Sequence, residues 1–491
     1  MKIPAQTSLK KPSFFRLSFY AASLVIVPWL FITLTGSAKN DSAKGKDITS
    51  QVDEYMAPYI KNGYFSGGIL VARDGKVLVK KGYGMANLEH DIPITSKTKF
   101  RLGSMTKQFT AMGIIILQEK GKLNVKDLIN KYLPNCPESL KDITIHHLLT
   151  HTSGIPKNAG GGAFPDKVDP ALEVRGMPFP VEKFVASFKD KALESKPGEK
   201  YEYSNTGYIL LGCIIEKVSG KPYDVFLREN IFEPLGMKDT EYDSNRAIMK
   251  NRASGYNSDW QNALFYEPKS YSAGALCSTL DDMYLWSQAL GTEKLVSKKA
   301  IDAVITPYVE AVSDAHKDAH YGYGWMMDKA FGRKRVFHGG SIMGFKNFIC
   351  LYPDDKVTII VLCNRNPVAP KALVEVVAPK DLAAIVFGEK YEIPKERHVV
   401  KVDPKIYDDY VGTYEGQGGP QKRLRVVKKD DQLMIKLSIS PEPVQVFPES
   451  ETEFFYKNMD YLFRFVKEDS KVTKIILCVN GEESPPAKKI D

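Results

Sequence analysis

The sequence predicts an α+β protein: an antiparallel sheet flanked by helices, an all-helical region beside it, and then a small antiparallel β-barrel-like domain. Three patterns carry that expectation. Strand-like runs lie at both ends of residues 48–392 and enclose a long helical middle, so one sheet is assembled from the two ends with helices packed on it. Beyond residue 393 the pattern changes to short strands and turns, which argues for a small barrel or sandwich over residues 393–491. The first 38 residues match neither pattern.

That leader places Lys2, Lys10, Lys11 and Arg16 before the apolar run Leu17 to Leu34, with Gly36-Ser37-Ala38 after it. A basic segment, an apolar core and small residues mark residues 1–38 as an export signal peptide or an N-terminal membrane anchor. The small residues favour cleavage after Ala38. Residues 39–47 form a polar tether. A helix over Ile48 to Tyr59 then precedes a hairpin of Gly67 to Arg73 and Lys76 to Lys80, turned at Asp74-Gly75. Helices and loops run from Ser104 to near Leu290, and the Gly- and Pro-rich loop 160–170 is expected to border the cleft. Strands return at Tyr323 to Trp325, Lys334 to Phe337, Asn347 to Tyr352 and Val357 to Leu362. After a boundary near Ile393 to His398, six strands are expected: Tyr410–Tyr414, Lys422–Val427, Gln432–Leu437, Phe454–Tyr456, Tyr461–Val466 and Val472–Val479. The tail from Glu482 to Asp491 has the composition of a solvated end.

The chain has 491 residues, 43% hydrophobic and 26% charged, enough for two globular domains plus a leader. Removing the leader's four basic residues lowers the formal charge from +9 to +5. Lys and Arg are interspersed with acids, which gives a solvated surface and excludes a nucleic-acid footprint. Membrane association is expected only through the N-terminal segment. Cys213, Cys350, Cys363 and Cys478 lie in apolar runs, where thiols act as small core hydrophobes, so no disulfide framework is expected. A turn at Asp354-Asp355 sets Cys350 opposite Ile359 and Cys363 opposite Lys346.

Three motifs in order supply candidate chemistry. Ser104-Met-Thr-Lys107 opens an apolar helix, so the hydroxyl and the amine share one face near free backbone N–H groups. Burial of Lys107 would lower its pKa and let it accept the Ser104 proton. The spacing alone favours a helix cap and a surface lysine, and Ser8/Lys11 and Ser96/Lys99 repeat it. Tyr203-Ser-Asn205 sets a phenol and an amide on one side of an extended loop, able to pass a proton and to hold Lys107 and a substrate carbonyl. His338-Gly339-Gly340-Ser341 lets a substrate backbone lie against a strand, and the Ser341 and Ser104 N–H groups would form an oxyanion hole. Taken singly, each is also a cap, an aromatic anchor or a Gly-rich turn.

With Ile143 to Ile155, Tyr271-Ser-Ala-Gly274 and Tyr321-Gly-Tyr-Gly-Trp325, these phrases resemble the serine penicillin-binding protein and class C β-lactamase superfamily, whose members include D,D-peptidases, D-aminopeptidases and esterases. The resemblance covers residues 50 to 390. It implies a sheet beside an all-helical region with the site between them. It also implies Ser104 as acylated nucleophile, Lys107 as its proton acceptor and Tyr203 as general base and acid. Asn205 would be the substrate and lysine partner, and His338 to Ser341 the substrate-binding strand, with no metal or other cofactor. The final domain resembles the lipocalin-like extension of some members.

The expected activity is that of an exported serine hydrolase acting on a small-molecule or peptide substrate, namely D-amino-acid peptides, β-lactams or esters. A penicillin-recognising protein that acylates without efficient turnover is the alternative. Many β-lactamases and transpeptidases have Lys at the start of the third motif; His338, mostly neutral at pH 7, weakens the case for efficient β-lactam hydrolysis. His147 and His151 are four apart but lack the adjoining Glu of a zinc helix, and Thr-Ser-Gly breaks the helix near His151, so helix capping and loop hydrogen bonds are preferred for them. His316 and His320 lie in a polar stretch and are expected to be solvated. No Gly-x-Ser-x-Gly elbow occurs.

Overall fold

A computed structural model describes residues 47–133, 135–156, 191–244, 247–257, 260–263, 270–312, 316–366, 378–393, 397–417, 422–438, 442–457, 461–479 and 482–491. The leader and the 160–170 loop lie outside them. The first helix, α1 (Ile48–Lys61), is capped by Asp47, whose carboxylate accepts the Ser50 N–H at 3.0 Å. The hairpin β1 (Gly67–Arg73) and β2 (Lys76–Tyr83) follows. The helical middle contains α2 (Thr106–Glu119), α3 (Ile145–Leu149), α4 (Asn205–Ser219), the short α5 (Tyr271–Gly274), α6 (Leu280–Ala289) and α7 (Lys298–Val304).

The chain then returns to the sheet through β3 (Val309–Glu310), β4 (His320–Tyr321), β5 (Met326–Ala330), β6 (Arg333–Ile342), β7 (Phe345–Tyr352) and β8 (Val357–Cys363). The sheet order is β2-β1-β8-β7-β6-β5-β4-β3. Its pairings are antiparallel, so the two ends of the domain meet at β1 and β8. These strands read as continuous apolar runs because both faces are covered. Ile69, Val71, Ile359 and Val361 face α1 and α8 (Ala378–Phe387), while Leu70, Ala72, Ile360 and Leu362 face the helical middle. Among the described residues no helix is long and apolar enough to cross a membrane.

The cysteine register is as expected, with Cys350 opposite Ile359 and Cys363 opposite Lys346; none of the six cysteines is bridged. Two expectations fail here. Tyr323 to Trp325 is the turn between β4 and β5, closed by the Gly322 N–H donating to the Trp325 carbonyl at 2.8 Å. His316 is not solvated. Its side chain is 10% exposed, 3.6 Å from the Asp328 carboxylate, and its ring lies 4.6 Å from that of Phe337.

The final domain is a closed antiparallel barrel. Its strands are β9 (Gly412–Glu415), β10 (Arg423–Lys429), β11 (Gln432–Lys436), β12 (Val444–Pro448), β13 (Glu453–Tyr456), β14 (Tyr461–Glu468), β15 (Lys471–Val479) and β16 (Ala487–Lys489). They run in the order β14-β13-β12-β11-β10-β9-β16-β15, and β14 pairs with β15 to close the ring. Aromatic rings fill it: Tyr410 stacks on Phe465 at 4.2 Å, and both contact Phe454. The tail is exposed over most of its described residues, as expected, but it is not a free end: β16 bridges β9 and β15, and Ala487 is buried.

Candidate active site

Ser104 lies in a single 3₁₀ turn, Gly103–Met105, that leads into α2. Gly103 takes φ +57°, and a Cβ there would sit 2.9 Å from the Ser341 backbone. Across the gap, a Cβ on Gly340 would lie 1.9 Å from the Leu102 carbonyl oxygen. Glycine on both sides lets the serine turn press directly against β6. Strand β5 pairs with β6 only as far as Phe337, so His338 to Ile342 are paired with β7 alone, and their other edge runs beside Ser104.

Lys107, the second residue of α2, is wholly buried. Its Nζ lies 3.1 Å from Ser104 Oγ, 2.8 Å from Asn205 Oδ1 and 2.9 Å from the Ala273 carbonyl oxygen. Thr110, a further turn on, donates to the Ser272 carbonyl at 2.6 Å and so anchors α5 where Ala273 reaches the amine. Burial pushes the Lys107 pKa well below the ordinary lysine value. A neutral amine has two N–H donors and one lone pair. Asn205 Oδ1 and the Ala273 carbonyl can only accept, so they take both donors and leave the lone pair toward Ser104 Oγ.

Tyr203 is held in the loop before α4, and a hydrogen bond with Ser104 partly offsets the burial that raises its phenol pKa. The Lys107 Nζ sits 4.8 Å from the centre of the Tyr203 ring. Asn205 begins α4, which Ser204 caps by accepting the Gly207 N–H at 3.4 Å. His338 is buried, with Nδ1 2.6 Å from the Gly339 carbonyl and Nε2 3.0 Å from the Tyr321 hydroxyl. A carbonyl only accepts, so the proton belongs on Nδ1 and Nε2 takes the Tyr321 O–H. Burial, then the neighbouring Lys107, lowers the His338 pKa to about 4, further toward neutral than the sequence implied. Gly339 and Gly340 follow within β6, and Ser341 is exposed beside them.

The structure thus gathers Ser104, Lys107, Tyr203, Asn205 and the 338–341 strand at one place. Sequence reasoning missed the Ala273 carbonyl, Tyr321 and a buried ion cluster next to the serine turn; it expected loop hydrogen bonds of His151, which are present, but not its packing on Tyr203. In that cluster Asp243 bridges Arg101 at 2.5 Å and Arg252 at 2.9 Å. The phrases Tyr271 to Gly274 and Tyr321 to Trp325 were the available signals, but neither specified a contact. His147 caps α3 with Thr144, each accepting the other's backbone N–H at 3.2 Å. Among the described residues no three metal-ligating side chains cluster.

A serine in a tight turn, a buried lysine beside it and a facing Gly-rich strand are the arrangement of a β-lactamase/penicillin-binding-protein-type serine hydrolase, and the comparisons agree. The chain belongs to the Beta-lactamase family, whose model matches residues 49–381, and a domain of unknown function, DUF3471, matches residues 396–487. Among its relatives is penicillin-binding protein 4* of Bacillus subtilis (strain 168), 29% identical over 442 residues, covering 85% of this chain and 94% of that one. The octameric penicillin-binding protein homologue from Pyrococcus abyssi is 27% identical with a TM-score of 0.61, covering 89% of this chain and 99% of that one. A D-stereospecific amidohydrolase from Streptomyces is 25% identical with a TM-score of 0.56, over 70% of this chain and 99% of the other.

Proposed function

We propose that this chain is an exported serine hydrolase that works through an acyl-enzyme on Ser104, with amides of D-amino acids and esters as its preferred acyl donors. The observation that carries the reading is the Lys107 amine, buried and surrounded by neutral acceptors, with its lone pair toward Ser104. Ser104 Oγ attacks the substrate carbonyl and its proton passes to Lys107 Nζ. The oxyanion is held by the Ser104 and Ser341 N–H groups, each worth about 10²–10³ in rate. The new ammonium lies beside the Tyr203 ring, which favours the phenolate, and Tyr203 gives its proton to the leaving group as the C–N or C–O bond breaks. Water then attacks the acyl-enzyme, losing a proton to Tyr203, and Ser104 recovers its own from Lys107 as the acid product leaves.

Neutral His338, in place of a lysine, supports uncharged acyl donors over those anchored by a carboxylate. The similarity to penicillin-binding protein 4* favours a second reading, acylation by β-lactams with slow release. Intact mass after incubation with a penicillin separates them, wild type beside Ser104→Ala. The hydrolase reading expects Ser104-dependent cleavage of D-amino-acid amides and esters, and at most a short-lived adduct. A stable adduct without cleavage supports the second reading, and neither adduct nor cleavage refutes both. The same spectrum of secreted protein reads whether residues 1–38 have been removed.

A further inference from the structure

His151 has no part in the chemistry above, yet its placement is unusual. Helix α3 ends in a Schellman motif: the Thr152 N–H donates to the His147 carbonyl at 2.9 Å and the His151 N–H to that of Leu148 at 3.4 Å. His151 occupies the left-handed position of that motif, φ +58°, where glycine is the easier residue. A strained backbone around a specific side chain points to a use for the side chain.

That use lies on both flanks of Tyr203. The His151 carbonyl accepts the Glu202 N–H at 2.8 Å, and His151 Nδ1 accepts the Ser204 N–H at 3.1 Å. Between those bonds the imidazole packs on the Tyr203 ring, centroids 4.3 Å apart and planes tilted by 35°. Behind it stand Tyr208 at 4.9 Å and Tyr321 at 4.7 Å, the latter bonded to His338. Because Nδ1 accepts, the neutral ring carries its proton on Nε2, which is buried with no hydrogen-bond partner among the described residues. Packing alone would be served by phenylalanine, and the acceptor alone by asparagine.

Resting on the reading of Tyr203 as the proton-transferring phenol, we propose that His151 is a positioning residue that fixes the Tyr203 hydroxyl by clamping the backbone on either side of it, its Nδ1 lone pair being the essential contact. Phenyl acetate and p-nitrophenyl acetate test this, because they form the same acetyl-enzyme but only phenolate needs much help from a proton. The kcat/KM of His151→Phe should fall about 10²-fold for phenyl acetate and less than about tenfold for the nitrophenyl ester. His151→Asn, which restores an acceptor and tolerates positive φ, should stay within about threefold of wild type on both. In a Tyr203→Phe background, His151→Phe should add nothing.

Equal losses on the two esters, unchanged rates, or an additive loss on Tyr203→Phe would overturn the proposal. If His151→Phe does not fold, nitrogen NMR of the wild-type imidazoles decides: a bare Nδ1 is expected, and a protonated Nδ1 overturns it. Ester cleavage that survives Ser104→Ala, or none by the wild type, would strike the hydrolase reading itself, whereas the NMR result stands apart from turnover.

Discussion

Gly340→Ala adds one methyl group where the β6 backbone meets the serine turn. The added Cβ would lie 1.9 Å from the Leu102 carbonyl oxygen, and a carbon and a carbonyl oxygen approach no closer than about 3.3 Å. The two backbones must therefore separate by about 1.4 Å. Leu102 has little freedom to retreat: it is fully buried, and its N–H is bonded to the Leu276 carbonyl at 2.8 Å. The strand moves instead and carries the Ser341 N–H away from Ser104. A displacement of about 1 Å costs about 10² in rate, and one lost oxyanion donor about 10²–10³, so kcat/KM should fall by about 10²–10³. The overpacking should also lower stability by about 1–3 kcal/mol. Hydrolysis of p-nitrophenyl acetate reads the first and urea unfolding the second, with Ser104→Ala as the background rate. Gly291→Ala, just after α6, is the control, since its φ lies outside the left-handed region and its Cβ meets only the Gln288 carbonyl oxygen, at an ordinary 3.5 Å. Gly340→Ala within about threefold of wild-type kcat/KM would refute the link between this contact and catalysis.

Lys107→Met should reduce kcat/KM by about 10²–10⁴ and abolish the acid limb of the pH–rate profile. In the wild type that limb should rise as pH increases through a Lys107 pKa well below the ordinary lysine value, and a limb unchanged in the variant would count against Lys107 as the acceptor. His338 titrates at about 4 in the fold and near 6.5 when unfolded, so the unfolded chain takes up its proton first. Stability should be full above about pH 6.5 and fall by about 1.4 kcal/mol per unit toward pH 4, roughly 3 kcal/mol in all. His338→Gln should flatten that slope in urea titrations at pH 7 and 4.5. In the barrel, Tyr410→Ala removes a fully buried ring from Phe465 and should cost about 3–5 kcal/mol, measured by denaturant unfolding of the full chain.

The main sheet was legible because its strands are uninterrupted apolar runs bounded by turn residues, a pattern that strands covered on both faces produce. The barrel was legible only in part. Ala487-Lys-Lys489 has no strand character of its own. It becomes β16 because β9 and β15 leave open edges on either side, a long-range demand that local composition does not record. Tyr323 to Trp325 is rich in β-forming aromatics, but Gly322 and Gly324 turn the chain there, and Gly324 takes φ +76°. His316 was misjudged from its polar sequence neighbours, whereas Asp328 and Phe337, its spatial ones, come from other strands.

The site shows the same division in one comparison. Ser96 and Lys99 have the same spacing as Ser104 and Lys107. Both lysines are mostly buried, yet Lys99 pairs with Glu241 at 2.6 Å and lies 3.7 Å from Asp239, while Lys107 meets a hydroxyl, an amide and a carbonyl. Carboxylates hold an amine as ammonium. Neutral acceptors in a dry interior hold it as a base. The difference arises from Asn205 and Ala273, which lie 98 and 166 residues from Lys107. The spacing alone therefore fixes neither a helical face, which Ser104 and Lys107 share and Ser96 and Lys99 do not, nor the partners of the amine, which the surrounding fold supplies.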